Sequence, residues 1–555
     1  PWWAVRLRAQ AQARRAGAEP AAAGAPPSAA LVWWCPSLCA SLRGALRAGV
    51  RRRGRSGRES GACAAAEGAG ASGDGSTRER REEEQAPSPA RRRRATQMVL
   101  VSYLASSLSE RSFLFGLPVV LATAPDSFSA IAFVAFVTSL FTFVCGPAAG
   151  HVLDRLPRFY GLVSCLLVQA AAIVVALVAT YNLFASPTVQ PLKHAPLYPL
   201  LLAASCVERL AAIVSDVAYE RDWLVQLAGR EDQAALAEVN ATVRRLDLAC
   251  EIIGPLVFGV VLASFGPLSA MGMCALGAAL ILPMQIALLV GARAFAGPLL
   301  TRKKRKKRRR AASSKAALKE EEEAGGRVRR ALVRTAGKPV AALTKGWKIY
   351  LAQPVLAASL AYVMLHFNTC LSPSSLLSAY LSESGVSVAA NALFRGSSAA
   401  MGFIATILFP VFVARRGVLA TGSAALVFMA GMVTLAGVTY GLFLEGAASG
   451  GATVPLGVFL ACVMCSRFGL WLYEMANLQI HQTAISERQM GSVSMTEMSL
   501  CSLSELVMFA CASALESSFA LMVLVSSLSV VAACGIFVRW ERSVDRGELR
   551  VRAAS

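Results

Sequence analysis

Charge is what this sequence has least of for its size. Only 16% of its 555 residues are Asp, Glu, Lys or Arg, against 55% hydrophobic, and the mean hydropathy is +0.51. Histidine is scarcer still, with four residues in the whole chain. A string of soluble domains of this length would need far more polar surface, so that class is excluded. Catalytic signatures are missing too: there is no H-E-x-x-H, no G-x-S-x-G in a suitable context, no phosphate-binding glycine-rich loop and no paired intramembrane aspartates. An enzyme is not expected, nor a permanently bound cofactor, and any transport must be driven by a gradient rather than by nucleotide hydrolysis in this chain.

What is present is a succession of apolar runs from about Val99 to Val538. A hydrocarbon core roughly 30 Å thick needs about 20 apolar residues per helix. The runs therefore predict an all-α polytopic membrane protein surrounded by lipid. Twelve spans are expected: 99–122, 128–152, 159–181, 195–220, 243–266 and 268–293, then 354–381, 387–413, 418–444, 455–480, 491–515 and 517–539.

The net charge of +22 suggests a nucleic-acid partner only until it is located. Residues 1–97 carry 18 Arg and 8 acids, and residues 301–348 carry 18 Lys or Arg and 4 Glu. The remainder is nearly balanced, so the basicity sits outside the membrane and no nucleic acid is expected. The first segment has no lysine, and its Arg, Ala, Gly and Ser content predicts disorder. It has the composition of an organelle transit peptide. An acidic patch at Glu79–Glu84 and a first methionine at Met98 leave open a start at Met98 instead. The second segment, "TRKKRKKRRRAASSKAALKEEEEAGG", reads as a flexible central linker on the positive face, or as a nuclear signal or anionic-lipid patch. Eleven of the fourteen cysteines lie at or within apolar runs, without a disulfide framework spacing. Cys462 and Cys465 form a C-x-x-C inside such a run, read as packing or as redox or metal chemistry.

Arginines fall in alternate loops: Arg155 and Arg158, then Arg221, Arg230, Arg244 and Arg245, the linker, Arg415 and Arg416, and Arg488. The opposite loops hold Lys193 and almost nothing else. This asymmetry puts both termini and the linker on the positive-inside face. Six spans, a basic linker and six more spans is the plan of the major facilitator superfamily, whose halves rock about a midplane site. The loop "GHVLDRLPR" resembles that superfamily's G-x-x-x-D-R/K-x-x-R motif, with Asp154 and Arg158 placed to latch one conformation. The expected organisation is a leader (1–97), an N-terminal six-helix bundle (98–297), the linker (298–348), a C-terminal six-helix bundle (349–540) and a tail (541–555).

Four blocks carry a closer likeness. "ERDW" followed by "NATVRRLD", "SRFGLWLYEMANLQIHQTAISER", "GWKIYLAQPVLAASLAYVMLHFN" and "SLSERSFLFGLPV" together resemble the ferroportins, solute carrier family 40, over about residues 99–540. The third block most resembles the plastid-envelope branch of plants and algae. The resemblance implies a monomeric exporter of Fe2+ or a related divalent metal, working by alternating access in the chloroplast envelope, with the metal as transported substrate. It also implies that Asp222, Asn240, Arg245 and Asp247 form a charged gate network, against the plainer reading of static helix-end salt bridges.

The metal ligands of the family are mostly absent. Glu110 stands at its span 1 Asp position, but Leu114 replaces the His one turn on. Span 7 has Pro373-Ser374 at the break instead of Asp-Cys, and the span 11 His position is apolar, near Val507. His366 and Cys370, at i and i+4 before "SPSS", are a substitute pair across from Glu110, since imidazole and thiolate suit a borderline divalent metal. Their plainer reading is a packing thiol and a backbone-bonded imidazole. The other intramembrane ionisable residues are Glu208, Arg209, Glu251, Arg395, Arg467, Glu474, Glu497 and Glu505, each a transport or ion-pair candidate. The missing ligands keep an alternative open: the same fold carrying a small organic cation, a metal chelator or an aminoglycoside-like compound.

Overall fold

The computed structural model of the protein describes residues 88–122, 127–185, 197–300, 339–444, 453–514 and 519–546. The leader up to residue 87, Lys193 and most of the basic linker lie outside the described residues.

Among the described residues every regular element is helical. The first half comprises α1 (Pro89–Leu121), α2 (Ser127–Arg155), α3 (Arg158–Ala185) and α4 (Tyr198–Ala218). A π turn over Tyr219–Trp223 and the short α5 (Leu224–Ala228) lead to α6 (Gln233–Phe265) and α7 (Pro267–Ala296). The second half comprises α8 (Pro339–Leu351), α9 (Leu356–Leu365), α10 (Ser375–Glu383), α11 (Val388–Thr439), α12 (Thr453–Ala484), α13 (Met490–Ala514) and α14 (Phe519–Asp545).

Nine of these helices are long and apolar enough to cross a membrane. The 52-residue α11 holds two spans, because Gly417 at φ 78° bends it where few side chains could follow. α9 passes the same test only together with the last residues of α8 (Thr344–Leu351), as a pair bent by 110°, while the 21-residue α4, which carries Glu208, Arg209 and Asp216, is not among the nine. Among the described residues the arrangement is that of an all-helical, multi-pass membrane protein.

Several boundaries differ from expectation, for identifiable reasons. α1 begins at Pro89, a residue suited to the first helical turn, so residues 89–97 are helical rather than disordered. α6 begins ten residues before the expected 243, because the Asp232 carboxylate caps it by accepting from Ala235 N at 2.9 Å. Span 7 stops at Leu365, earlier than Pro373 predicts. Its last amides turn to i−3 acceptors, with His366 N on Val363 O (3.1 Å) and Asn368 N on Leu365 O (3.1 Å). The hydroxyls of Ser372 and Ser374 then both donate to Thr369 O, at 2.8 and 2.7 Å, and fix the break.

Each half has its own core. Phe113, Leu117, Phe258 and Met271 centre one cluster in the first half, and Tyr103, Tyr219 and Trp223 another nearer the arginine-bearing end. The second half packs around Phe409, Met429, Tyr473 and Phe537, and this cluster takes in Ala237 and Ala241 of α6. Leucines such as Leu256, Leu280, Leu393 and Leu442 point outward with 63–75% exposure among them in the isolated chain, where lipid tails would cover them.

Candidate gate and metal path

The halves interlock at the end of the bundle that carries the arginines. Asp154, on the last turn of α2, accepts from the backbone N–H of Gly491 and of Ser492, both at 2.8 Å, and from the Ser492 hydroxyl at 2.6 Å. The first amides of a helix have no partner within it and carry partial positive charge. A carboxylate from the first half thus caps α13 of the second. Glycine makes the approach feasible: a Cβ on Gly150 would overlap the carbonyl oxygen of Gly491, and one on Gly491 would lie 2.8 Å from that of Gly150. Deeper along the same seam the Ser499 hydroxyl donates to Thr142 O at 3.2 Å.

Around this cap lies a ring of bonds, most of them between the halves. Arg158 donates from Nε to Asp222 (2.6 Å) and from Nη2 to Glu487 (2.9 Å), while Gln226 donates to the other Glu487 oxygen (3.1 Å). Arg230 donates to Thr483 O at 3.2 Å. The amides of Asn240 and Gln482 face each other reciprocally at 2.8 and 2.9 Å, and Gln482 also donates to Glu220 O.

Inside the ring Arg221, His481, Asn477 and Glu497 are buried, and Arg244 and Glu474 largely so. The π turn holds Trp223 in the core and turns Arg221 inward. Its Nη1 donates to Glu497 Oε2 (2.8 Å), His481 Nδ1 (2.9 Å) and Ser494 Oγ (3.0 Å). Glu497 Oε1 accepts in turn from Asn477 (2.8 Å) and Ser359 (3.1 Å). Beside it Arg244 bridges Asp247 (2.9 Å) and Glu474 (2.6 Å), with its guanidinium 5.3 Å from the Trp471 ring centroid. Asp247 also accepts from Arg111 at 2.8 Å. A buried pair deprived of one partner costs roughly 3–5 kcal/mol, so these bonds must exchange partners, rather than simply break, if the halves separate.

A model of the Ferroportin1 (FPN1) family matches residues 93–530, which include all of these residues. The chain belongs to the ferroportin family. Among its relatives, solute carrier family 40 member 2, chloroplastic, of Oryza sativa subsp. japonica is 32% identical over 79% of this chain and 72% of its own. In fold the chain is similar to a bacterial homologue of the iron transporter ferroportin in an outward-facing state with soaked iron: TM-score 0.66, 22% identity, 80% of this chain and 98% of that one. It also shares its fold with a major facilitator superfamily proton:xylose symporter, at TM-score 0.56 and 10% identity, over 81% of this chain and 96% of that one.

Within this ferroportin chain the three metal candidates do not come together. Glu110, buried on α1, is paired with Arg209 of α4 at 3.1 Å. His366 caps the end of α9, with its Nδ1 3.2 Å from Tyr362 O and its ring packed edge-on to Tyr362. Cys370 is fully buried in the second-half core. The expected shared helical face is not formed, because residues 366–374 are turns rather than helix. Among the described residues no group of three His, Cys, Asp or Glu side chains is arranged to hold an ion.

The remaining candidates divide. Asp154, Arg158, Asp222, Asn240, Asp247, Glu474 and Glu497 join the interlock. Arg245 does not: it bonds only along its own helix, to Ala241 O, Thr242 and Glu238, and Arg244 is the arginine that crosses. Arg467 and Glu474, expected on one face, serve different partners; Arg467 donates to Leu371 O at the span 7 break (3.1 Å). Glu208 accepts from Gln169 at 3.3 Å, and Arg395 donates to Ser378 at 3.3 Å. Glu251 is exposed, and Glu505 is half-buried. Sequence reasoning passed over Arg111, Arg221 and Arg244 as members of the network, and His481 altogether. The polar run "NLQIHQTAISER", inside an otherwise apolar helix, was the signal for His481.

Proposed function

We propose that this protein moves Fe2+ or a related divalent transition metal across its membrane by alternating access, as an exporter working as a monomer. The interlock holds the arginine-rich end closed. The observation that carries this reading is the interlock itself: ion pairs, a helix cap and reciprocal amides join the halves at one end of the bundle, on exchangeable side chains. Membership of the ferroportin family favours a metal over an organic cation as cargo.

The arginine-rich end is read as the positive-inside face, with the plastid envelope as the membrane, supported by the chloroplastic name of the rice relative. Glu110 is the carboxylate a metal would meet in the first half, exchanging Arg209 for the cation. His366 keeps Nδ1 on Tyr362 O, which leaves Nε2 to ligate. Cys370 would join after the span 7 break rearranges.

The test is flux of ferrous, cobalt and manganese ions in proteoliposomes, with Glu110→Ala, His366→Ala and Cys370→Ala beside the parent. Saturable flux that falls in the variants is expected. Flux unchanged in all three would remove the ligand assignment, and no metal flux from inserted protein would move the reading to an organic cation or chelate.

A further inference from the structure

We infer that His481 is a proton-binding residue of the gate, and that acid opens the arginine-rich end by protonating its Nδ1. The inference rests on the gate reading above and adds to it the device that biases the gate.

The argument is one of donors and acceptors. A guanidinium can only donate, so the 2.9 Å contact from Arg221 Nη1 to His481 Nδ1 requires a bare Nδ1. The closed arrangement therefore holds His481 as a neutral imidazole. A proton on Nδ1 would set two donors against each other at 2.9 Å, too close for a water between them, with both side chains buried. Glu497 lies 3.3 Å from the same nitrogen, yet its Oε2 already accepts from Arg221 at 2.8 Å. Nε2 finds no partner among the described residues, so nothing on the far side of the ring compensates.

Arg221 and Glu497 are the charges that face His481 directly. Behind them stand Glu220 in the π turn, Arg244 of α6, Cys501 of α13, Tyr350 of α8, Tyr362 of α9 and Glu474 on the same helix. Of these side-chain types only histidine ordinarily titrates between about pH 6 and 8. When the halves part, Arg221 leaves and Nδ1 can take a proton. The closed form excludes that proton and the open form binds it, so closure is favoured above the open-state pKa and lost below it, by up to about tenfold per pH unit.

Hydrogen exchange at the Gly491 and Ser492 amides reads the gate, because Asp154 on the other half protects them. Exchange is measured on the full-length protein in nanodiscs at about pH 6 and pH 8, corrected for intrinsic rates, in a pH window above the usual carboxylate range. The parent should lose several-fold of its protection at the lower pH, and His481→Gln and His481→Asn should lose the pH response, since both amides can still accept from Arg221. A parent-like pH response in both variants would overturn the inference and leave the gate standing. Asp154→Ala separates the two ideas: if it leaves Gly491 and Ser492 as protected as in the parent, the gate reading itself fails.

Discussion

The two ends of the span 7–span 10 region behave differently. Near the arginine-rich end, α12 presents Glu474, Asn477, Gln479, His481 and Gln482 to partners, most of them on the other half, and all are buried or nearly so. Two turns earlier on the same helix, Arg467 reaches a backbone carbonyl at the span 7 break and the hydroxyl of its own neighbour Ser466, and nearby Asn368 has neither side-chain polar atom satisfied among the described residues. The first region is the more densely bonded of the two, with Asn477 Oδ1, Gln479 Oε1 and His481 Nε2 as its atoms without a partner among the described residues. A transporter held in one conformation should look like this: the closed end has most of its partners, and the residues of the path await a cargo or the opposite state.

The contrast can be broken at its strongest point first. Glu497→Ala leaves Arg221 buried without its carboxylate and should cost roughly 3–5 kcal/mol, seen as a large fall in thermal unfolding temperature in detergent. The same truncation at Glu505, half-buried on the same helix, should cost far less. Next comes Arg244→Ala, which removes contacts to two carboxylates and the Trp471 face; a loss of about 2–4 kcal/mol is expected in the same assay. Its neighbour Arg245→Ala gives up only bonds within its own helix and should stay within about 0.5 kcal/mol of the parent. Equal effects at the two arginines would mean that the crossing role has been given to the wrong one.

That pair also marks how far the sequence could be read. The uneven distribution of arginine identified which end of the bundle would be polar, and the "ERDW" and "NATVRRLD" blocks supply first-half residues of the bonds between the halves there. Neighbouring arginines on a helix point about 100° apart, however, and only the packing of α6 against α12 decides that Arg244 faces inward. The helix pair His366 and Cys370 failed for a related reason. Proline marks a break approximately, but the chain had already tightened into i−3 turns at Val363–His366, which dissolved the i, i+4 face. His481 was legible as one of four histidines in the chain, set among amides and acids in an apolar helix. Its role required Arg221, some 260 residues away, and a π turn that no spacing rule announces.

The most direct test of the account is to hold the arginine-rich end shut. Gln226 and Glu487 meet across the halves at 3.1 Å, and Glu487 is 42% exposed, within reach of reagent. Cysteines at these two positions, bridged by a short reducible bis-thiol reagent in proteoliposomes, should stop metal flux, and reduction should restore it; the parent treated alike should be unaffected. Flux that continues at the parent rate through a fully bridged protein would contradict the claim that this interlock must open in every transport cycle.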